Sequence, residues 1–199
     1  IPATVALIAL RVPIISVLFQ RGQFSAQATQ LTADALLCYT VGLWAFSVIR
    51  IIVSAFYSLQ DTRSPMKAAV VALIVNAACS VALMFPLRHG GIALATSIAS
   101  AVNVGMLWVI LKRRIGAILD SEFYHSLGKT LFASVIMWAV ILGIGILYPW
   151  RSSGPFDERF LYLLLCIMGG IVAFFTAAFL AGSPEIGFMI RTLRRRLGS

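Results

Sequence analysis

Six long apolar segments dominate the sequence, and they constrain its fold more than any other feature. Their approximate ranges are 1–19, 30–58, 66–86, 91–111, 130–149 and 160–182. An α-helix rises about 1.5 Å per residue, so about 20 residues cross a hydrocarbon core that is about 30 Å thick. We therefore expect an all-α, polytopic membrane helix bundle, with connections too short to hold a soluble domain.

The composition agrees with a membrane protein. Of the 199 residues, 60% are hydrophobic and 12% are charged, whereas a soluble domain carries about 25% charged residues. The three cysteines lie inside apolar segments without paired spacing, so they indicate neither a disulfide framework nor a metal site. They are Cys38, Cys79 and Cys166.

The basic residues cluster at the ends of the apolar segments, which is typical of membrane orientation signals and not of nucleic-acid binding. One side carries ten of them: Arg63, Lys67, Lys112, Arg113, Arg114, Lys129, Arg191, Arg194, Arg195 and Arg196. The other side carries four: Arg21, Arg88, Arg151 and Arg159. Cytoplasmic connections are richer in Lys and Arg, so we predict a cytoplasmic C-terminus.

The two remaining arginines lie within segments. The chain opens with Ile1-Pro2 in an apolar run, so we expect the first segment to be the end of a longer helix. Arg11 either faces protein or a cavity at membrane depth, or escapes toward water because Pro13 breaks the helix. Arg50 either extends to the membrane surface or faces inward as a functional charge. Arg11 and Arg50 are therefore candidate charges of a cavity or of a helix interface, and both alternatives stay open for each.

Polar side chains in the third and fourth segments form the clearest constellation. Asn76 and Ser80 share one helix face, and so do Thr96, Ser100 and Asn103. The connection between the two segments is short, which predicts antiparallel neighbours with these faces at matching depth. The five side chains could form interhelical hydrogen bonds, or they could coordinate a small cation.

Three further patterns concern local structure. Asp61 to Pro65 favours a tight turn that starts a new helix. A small residue recurs at every fourth position of the sixth segment, and we expect this stripe to pack against Ala139 and Gly143 of the fifth. The stripe is Gly169, Ala173, Ala177 and Ala181.

The tail beyond Pro184 mixes apolar residues with basic ones, which favours a surface helix on anionic lipid. The basic residues of this expected anchor are Arg191, Arg194, Arg195 and Arg196.

Three stretches, in this order, match known motifs. PIISVLFQRGQFSAQAT follows the pattern P-I-x-x-L-F-x-R-G-x-F. YTVGLWAFSVIRIIVSAFYSLQDTRSPMK contains a corner of the form A-F-Y-S-x-x-D-T-x-T-P-x-K, with Ser64 at the second Thr. PLRHGGIALATSIASAVNVGMLWVILKRR contains the helix start G-G-x-A-L-A-T-S. Over nearly its whole length the chain resembles the lipid II flippase family (MurJ, also called MviN) of bacterial cell-wall synthesis.

The resemblance implies a two-lobed fold of fourteen helices, similar to that of multidrug and polysaccharide exporters. This chain would supply the end of helix nine through helix fourteen. Residues 1–112 would hold four helices of the second lobe, 113–129 a cytoplasmic loop, 130–182 two additional helices, and 183–199 a basic cytoplasmic tail. The last two helices would form the groove that takes the lipid tail.

The implied function is transport and not enzymatic catalysis. The family moves undecaprenyl-linked peptidoglycan precursor (lipid II) from the inner to the outer leaflet of the bacterial cytoplasmic membrane by alternating access. The implied partners are lipid II, membrane lipids and the N-terminal lobe, without nucleic acid. No cofactor is implied, and sodium or a proton would be the coupling ion. Positions that match Asn76 and Thr96 bind sodium in some members, but Ser80 stands where the family has a carboxylate.

Two other functions remain open from the sequence. The chain could belong to an exporter of another lipid-linked saccharide or of a drug with the same fold. It could also belong to a membrane scaffold for cell-wall assembly that transports nothing. A scaffold would not need aligned polar faces inside the membrane.

Overall fold

The computed structural model describes residues 1–22, 24–87, 89–116, 121–150 and 154–182. These ranges contain six α-helices, each long and apolar enough to cross a membrane, which confirms the expected all-α fold. The helices are α1 (Pro2–Phe19), α2 (Ala26–Ser58), α3 (Arg63–Leu87), α4 (His89–Ile115), α5 (Ser121–Leu147) and α6 (Phe156–Leu180).

Five of the six described helices begin earlier than the apolar segments that predict them, and α5 shows the largest difference. The Oγ atom of Ser25 accepts a hydrogen bond from the N–H of Ala28 at 3.2 Å, and this cap starts α2 before residue 30. Helix α5 begins at Ser121, inside the range 113–129 that we predicted as a loop. Hydropathy marks only the part of a helix that lies in lipid, so a helix that extends into water is longer than its apolar segment.

The chain divides into two compact units. The first consists of Ile1–Val17 and Leu119–Ser199, and the second of Leu18–Ile118. The described part of the first unit contains most of α1 together with α5 and α6, whereas the second contains α2, α3 and α4.

In the second unit, α4 packs against both α2 and α3, which hardly contact each other. A buried apolar cluster joins all three helices near the end that carries Asp61. It consists of Ile52, Phe56, Ala68, Leu107 and Leu111. Small residues allow close approach elsewhere, because a Cβ atom on Gly91 would overlap the main-chain carbonyl group of Leu83. These contacts make α4 the central helix of its unit.

In the first unit, α5 packs along α6, and side chains of α1 join the same buried cluster. That cluster consists of Leu10, Val17, Met137, Ile141, Leu163 and Cys166. The expected pairing of α6 with α5 is confirmed, but the expected contact residues on α5 are wrong. Ala139 is exposed and Gly143 has open space beside it. The apolar side chains on the neighbouring face of α5 fill the interface instead.

Helix α1 continues through Pro13 to Phe19, so the alternative in which Pro13 breaks the helix is wrong. Proline removes one backbone donor, and membrane helices tolerate this when nearby groups satisfy the freed carbonyl groups. The Nη1 atom of Arg11 donates to the carbonyl oxygen of Ile8 at 3.0 Å, whereas the carbonyl group that Pro13 frees is that of Ala9. The Nε atom of Arg11 is buried and has no hydrogen-bond partner within the described residues.

Candidate functional site

The polar residues of α3 continue the side of that helix that packs against α4. Ala68 and Ala72 are buried, and Asn76 follows at the same four-residue spacing. The Ser80 hydroxyl donates to Oδ1 of Asn76 at 3.5 Å, which is a long and weak hydrogen bond. Both side chains are half-buried, so a ligand or a neighbouring helix can still reach them.

The polar residues of α4 also make hydrogen bonds along their own helix. Thr96 donates to the carbonyl oxygen of Ile92 at 3.1 Å, and Ser100 donates to that of Thr96 at 2.8 Å. Ser100 is buried, whereas the Oδ1 atom of Asn103 is buried without a hydrogen-bond partner in the described ranges. A carbonyl oxygen of this kind can accept a hydrogen bond or bind a cation.

The five predicted residues thus offer amide and hydroxyl oxygens and no carboxylate. Across the described residues, no group of three His, Cys, Asp or Glu side chains could hold a metal ion. Neutral oxygens suit a hard cation better than a proton, because none of these side chains titrates near neutral pH. The hydrogen bonds of these five side chains that the structure describes lie within single helices, so their ligand role stays a prediction.

One interhelical hydrogen bond lies on a neighbouring side of α4, and sequence reasoning missed it. The Ser97 hydroxyl donates to the main-chain carbonyl oxygen of Cys38 on α2 at 2.5 Å. Gly42 makes this contact feasible, because a Cβ atom there would lie 2.7 Å from Cα of Ser97. The acceptor is a backbone group, so no residue type in the sequence marks it.

The predicted turn around Asp61 is confirmed and is more extensive than the sequence indicated. Oδ1 of Asp61 accepts hydrogen bonds from the N–H groups of Arg63 and Ser64 at 3.1 and 3.0 Å, and its Oδ2 accepts from the Ser64 hydroxyl at 2.6 Å. Arg114 at the end of α4 places Nη2 2.8 Å from the same Oδ2. Asp61 therefore caps α3 and ties it to α4.

The electrostatics of this turn favour the charged carboxylate. Hydrogen bonds from the Ser64 hydroxyl and N–H, together with the positive charge of Arg114, hold the pKa of the Asp61 carboxyl below its ordinary value of 3.8. The Asp61 side chain is 10% exposed and that of Arg114 is 50% exposed, so solvent screens the ion pair from one side.

The other predicted charges have simpler surroundings. Arg50 is exposed on the surface of its unit, which fits both of its alternatives, since either a membrane surface or a further part of the protein can cover that face. The four tail arginines lie outside the described residues, and so does the expected tail helix. They are Arg191, Arg194, Arg195 and Arg196.

Comparison with known proteins identifies the family. A family model described as "Lipid II flippase MurJ" matches residues 1–167. The chain belongs to this family. It is accordingly a multi-pass membrane protein, and the family resemblance predicted from its three motifs is confirmed.

Individual relatives agree with the MurJ family model. A "Probable lipid II flippase MurJ" of Rhizobium tropici is 34% identical over 200 residues, which cover 98% of this chain and 37% of the relative. The protein of the same description from Rhizobium meliloti (strain 1021) is 30% identical, with 98% and 37% covered. A solved structure, "Lipid II flippase MurJ, inward closed conformation", is similar to this chain with a TM-score of 0.75 and 25% sequence identity. The match covers 94% of this chain and 36% of the chain in that structure. The chain thus spans a little over a third of the length of each of these three proteins.

Proposed function

We propose that this chain is the C-terminal portion of a lipid II flippase of the bacterial cytoplasmic membrane. The observation that carries the proposal is the MurJ family match through residues 1–167, together with six membrane-length helices that extend from Pro2 to Leu180. The complete protein moves the undecaprenyl-linked precursor from the inner to the outer leaflet by alternating access between two lobes. It carries out no covalent chemistry. Its C-terminus is cytoplasmic, as the excess of basic residues on that side favours.

We further propose that sodium is the coupling ion and that it binds near Asn76 and Thr96. The support is twofold: none of the five polar side chains is titratable, which disfavours a proton, and Oδ1 of Asn103, on the same face as Thr96, has no hydrogen-bond partner among the residues that the structure describes. Ser80 contributes a hydroxyl where the family resemblance implies a carboxylate. We therefore expect a site that binds sodium more weakly than one with a formal negative charge.

Two other functions are less well supported. An exporter of another saccharide or of a drug shares the fold class, but the family match extends beyond the four lobe helices into α6. A scaffold that transports nothing would leave the polar residues at 76–80 and 96–103 without a role. The experiments below separate both from a flippase.

The first experiment is complementation in a bacterium depleted of its own lipid II flippase. The full-length protein that contains this chain is expressed there, and growth and outer-leaflet lipid II are measured. We expect rescue of both. Full membrane expression without outer-leaflet lipid II would contradict the proposal, and growth without it would favour a scaffold.

The second experiment tests the sodium site in the same strain. We expect Asn76→Leu and Thr96→Val to lower the rate of lipid II appearance about tenfold and to remove its dependence on external sodium. Thr176→Val is the matched control, because Thr176 also donates to the carbonyl oxygen four residues earlier, at 2.7 Å, and lies on α6. A proton gradient that drives the wild type equally well without sodium would contradict the choice of ion.

A further inference from the structure

Helix α1 carries a single charged side chain, Arg11, near its middle. Eight residues, or about 12 Å of helix, separate Arg11 from Phe19 at one end of α1. The helix is continuous and is apolar enough to cross a membrane. Arg11 therefore lies at a depth where a charge is costly unless other protein groups or water match it.

The side chain of Arg11 does not extend toward the Phe19 end of α1. Helical side chains tilt toward the N-terminus of their helix, and Nη1 of Arg11 donates to the carbonyl oxygen of Ile8 at 3.0 Å. Ile8 is six residues, or about 9 Å of helix, inside the Pro2 end. The guanidinium thus turns back along the middle of α1 and stays away from both ends of the helix.

Most of the hydrogen-bonding capacity of this guanidinium is unused within the described residues. A guanidinium has five N–H donors, and the bond to Ile8 uses one of them. Nε is the only guanidinium nitrogen of Arg11 that is buried without a partner there, so Nη2, which makes no described hydrogen bond, is accessible. No Asp or Glu of the described ranges forms an ion pair with Arg11.

The unit that contains Arg11 offers no carboxylate at membrane depth. Its five acidic residues all lie at the ends of apolar segments or beyond them. They are Asp120, Glu122, Asp157, Glu158 and Glu185. The buried neighbours of Arg11 along α1 are apolar, namely Leu10 and Ile15. A negative charge that matches Arg11 in the membrane therefore comes from outside this unit.

We propose that Arg11 forms an ion pair at membrane depth with an Asp or Glu side chain in the part of the protein that precedes this chain. The inference rests on the proposed function, in which this chain is the C-terminal portion of a longer protein. The relatives have almost two thirds of their length outside the match, which is room for such a partner. The carboxylate accepts from the accessible Nη2 and neutralises the charge. The pair holds α1 against the preceding part of the protein.

Thermal unfolding of the purified full-length protein tests for the ion pair and does not depend on transport. Removal of one member leaves the other charge unmatched, so we expect Arg11→Met to lower the melting temperature by about 5 °C or more, and Arg11→Lys by less. Arg113→Met is the matched control, since Arg113 is exposed at the end of α4, and it should be neutral. An arginine without a carboxylate partner predicts the opposite sign, because Arg11→Met would then remove a costly charge. An Arg11→Met variant at least as stable as the wild type would overturn the proposal.

Selection for growth locates the carboxylate. In a strain depleted of its own lipid II flippase, we expect full-length Arg11→Glu to fail to support growth, because it places two carboxylates together, whereas Arg113→Glu supports it. Second substitutions that remove or reverse an acidic residue in the preceding part of the protein should restore growth. Normal growth of Arg11→Glu, or restoring substitutions found only within this chain, such as at Asp34, would overturn the proposal. Failure of the wild type to support growth would count against the proposed function instead, and the melting temperatures would still decide whether the ion pair exists.

Discussion

The two units of the chain bring their helices together in different ways. In the second unit, glycines touch main-chain atoms of the next helix: a Cβ atom on Gly42 would lie 2.7 Å from Cα of Ser97. In the first unit, a Cβ atom on Gly169 would lie 2.9 Å from the Cδ1 atom of Ile144, the far end of a flexible side chain. One interface is fixed by backbone, whereas the other can adjust by side-chain movement.

The two units also differ in the hydrogen-bond acceptor at one helix terminus, which is the start of α3 in the second unit and the end of α6 in the first. In the second unit, the charged Asp61 caps α3 and pairs with Arg114. In the first, Lys129 donates from Nζ to the carbonyl oxygen of Gly182 at 2.8 Å, just past the end of α6. The acceptor is a carboxylate in one case and a backbone carbonyl in the other. Of these two contacts, only the one at Asp61 therefore has an acceptor that acid can neutralise.

The largest expected effect is at the backbone contact between α2 and α4. We expect Gly42→Ala to lower the free energy of unfolding by about 3 kcal/mol, because the Ser97 backbone cannot move aside without separating the helices. Gly105→Ala, on α4 with nothing within 4 Å of its added Cβ, is the control and should be neutral or stabilising. Thermal unfolding of the purified full-length protein measures both. Equal stability of the two variants would show that this contact is not rigid.

The next effect is at the Asp61 turn. We expect Asp61→Ala to lower the melting temperature by several degrees, and Asp61→Asn by less, because Asn still caps a helix but does not attract Arg114. Asp34→Asn is the matched control, since Asp34 is exposed on α2 and bonds only Gln30 among the described residues. A melting temperature of Asp61→Ala equal to that of the control would contradict the structural role of the turn.

Acid should distinguish the two units. The pKa of Asp61 is lowered in the folded protein, so its contribution to stability is complete above the unfolded value of 3.8 and is lost as the pH falls through the lower folded value. We expect amide hydrogen exchange near residues 61–64 to accelerate below about pH 4, while exchange at the end of α6 shows no matching step. Asp61→Asn should remove the step. A step that persists in this variant would assign it to another group.

The smallest effect is expected at the adjustable interface. Gly169→Ala requires only that the end of the Ile144 side chain move, and it gains helix propensity of up to about 1 kcal/mol. We expect a change in unfolding free energy below about 1 kcal/mol in either direction, with Gly143→Ala as the control in open space. A loss as large as that for Gly42→Ala would remove the contrast between the units.

Sequence patterns predicted much of this architecture because the membrane simplifies it. Apolar length alone marks the six helices, and Asp61 with Pro65 marks the turn, since both signals are local. The arginine that pairs with Asp61 was not predicted, because Arg114 is more than fifty residues away and looks like an ordinary basic flank.

The helix contacts were harder to predict from sequence. The small-residue stripe identifies α6 as a packing helix, but it does not fix which face of α5 meets it, and Ala139 and Gly143 proved to be the wrong face. The bond from Ser97 to the Cys38 carbonyl group has a backbone acceptor, which composition cannot reveal. The five polar residues could be named from their spacing, whereas their ligand depends on partners that spacing does not specify.

The central claim, that these helices form part of a lipid II flippase, is tested most directly by transport in vesicles. The purified full-length protein is reconstituted with fluorescent lipid II, and a membrane-impermeant quencher reports how much label each leaflet holds over time. We predict transfer of lipid II between leaflets that protein-free vesicles do not show, and no comparable transfer of a fluorescent phospholipid. Vesicles that contain folded protein and transfer no lipid II under either a sodium or a proton gradient would contradict the claim.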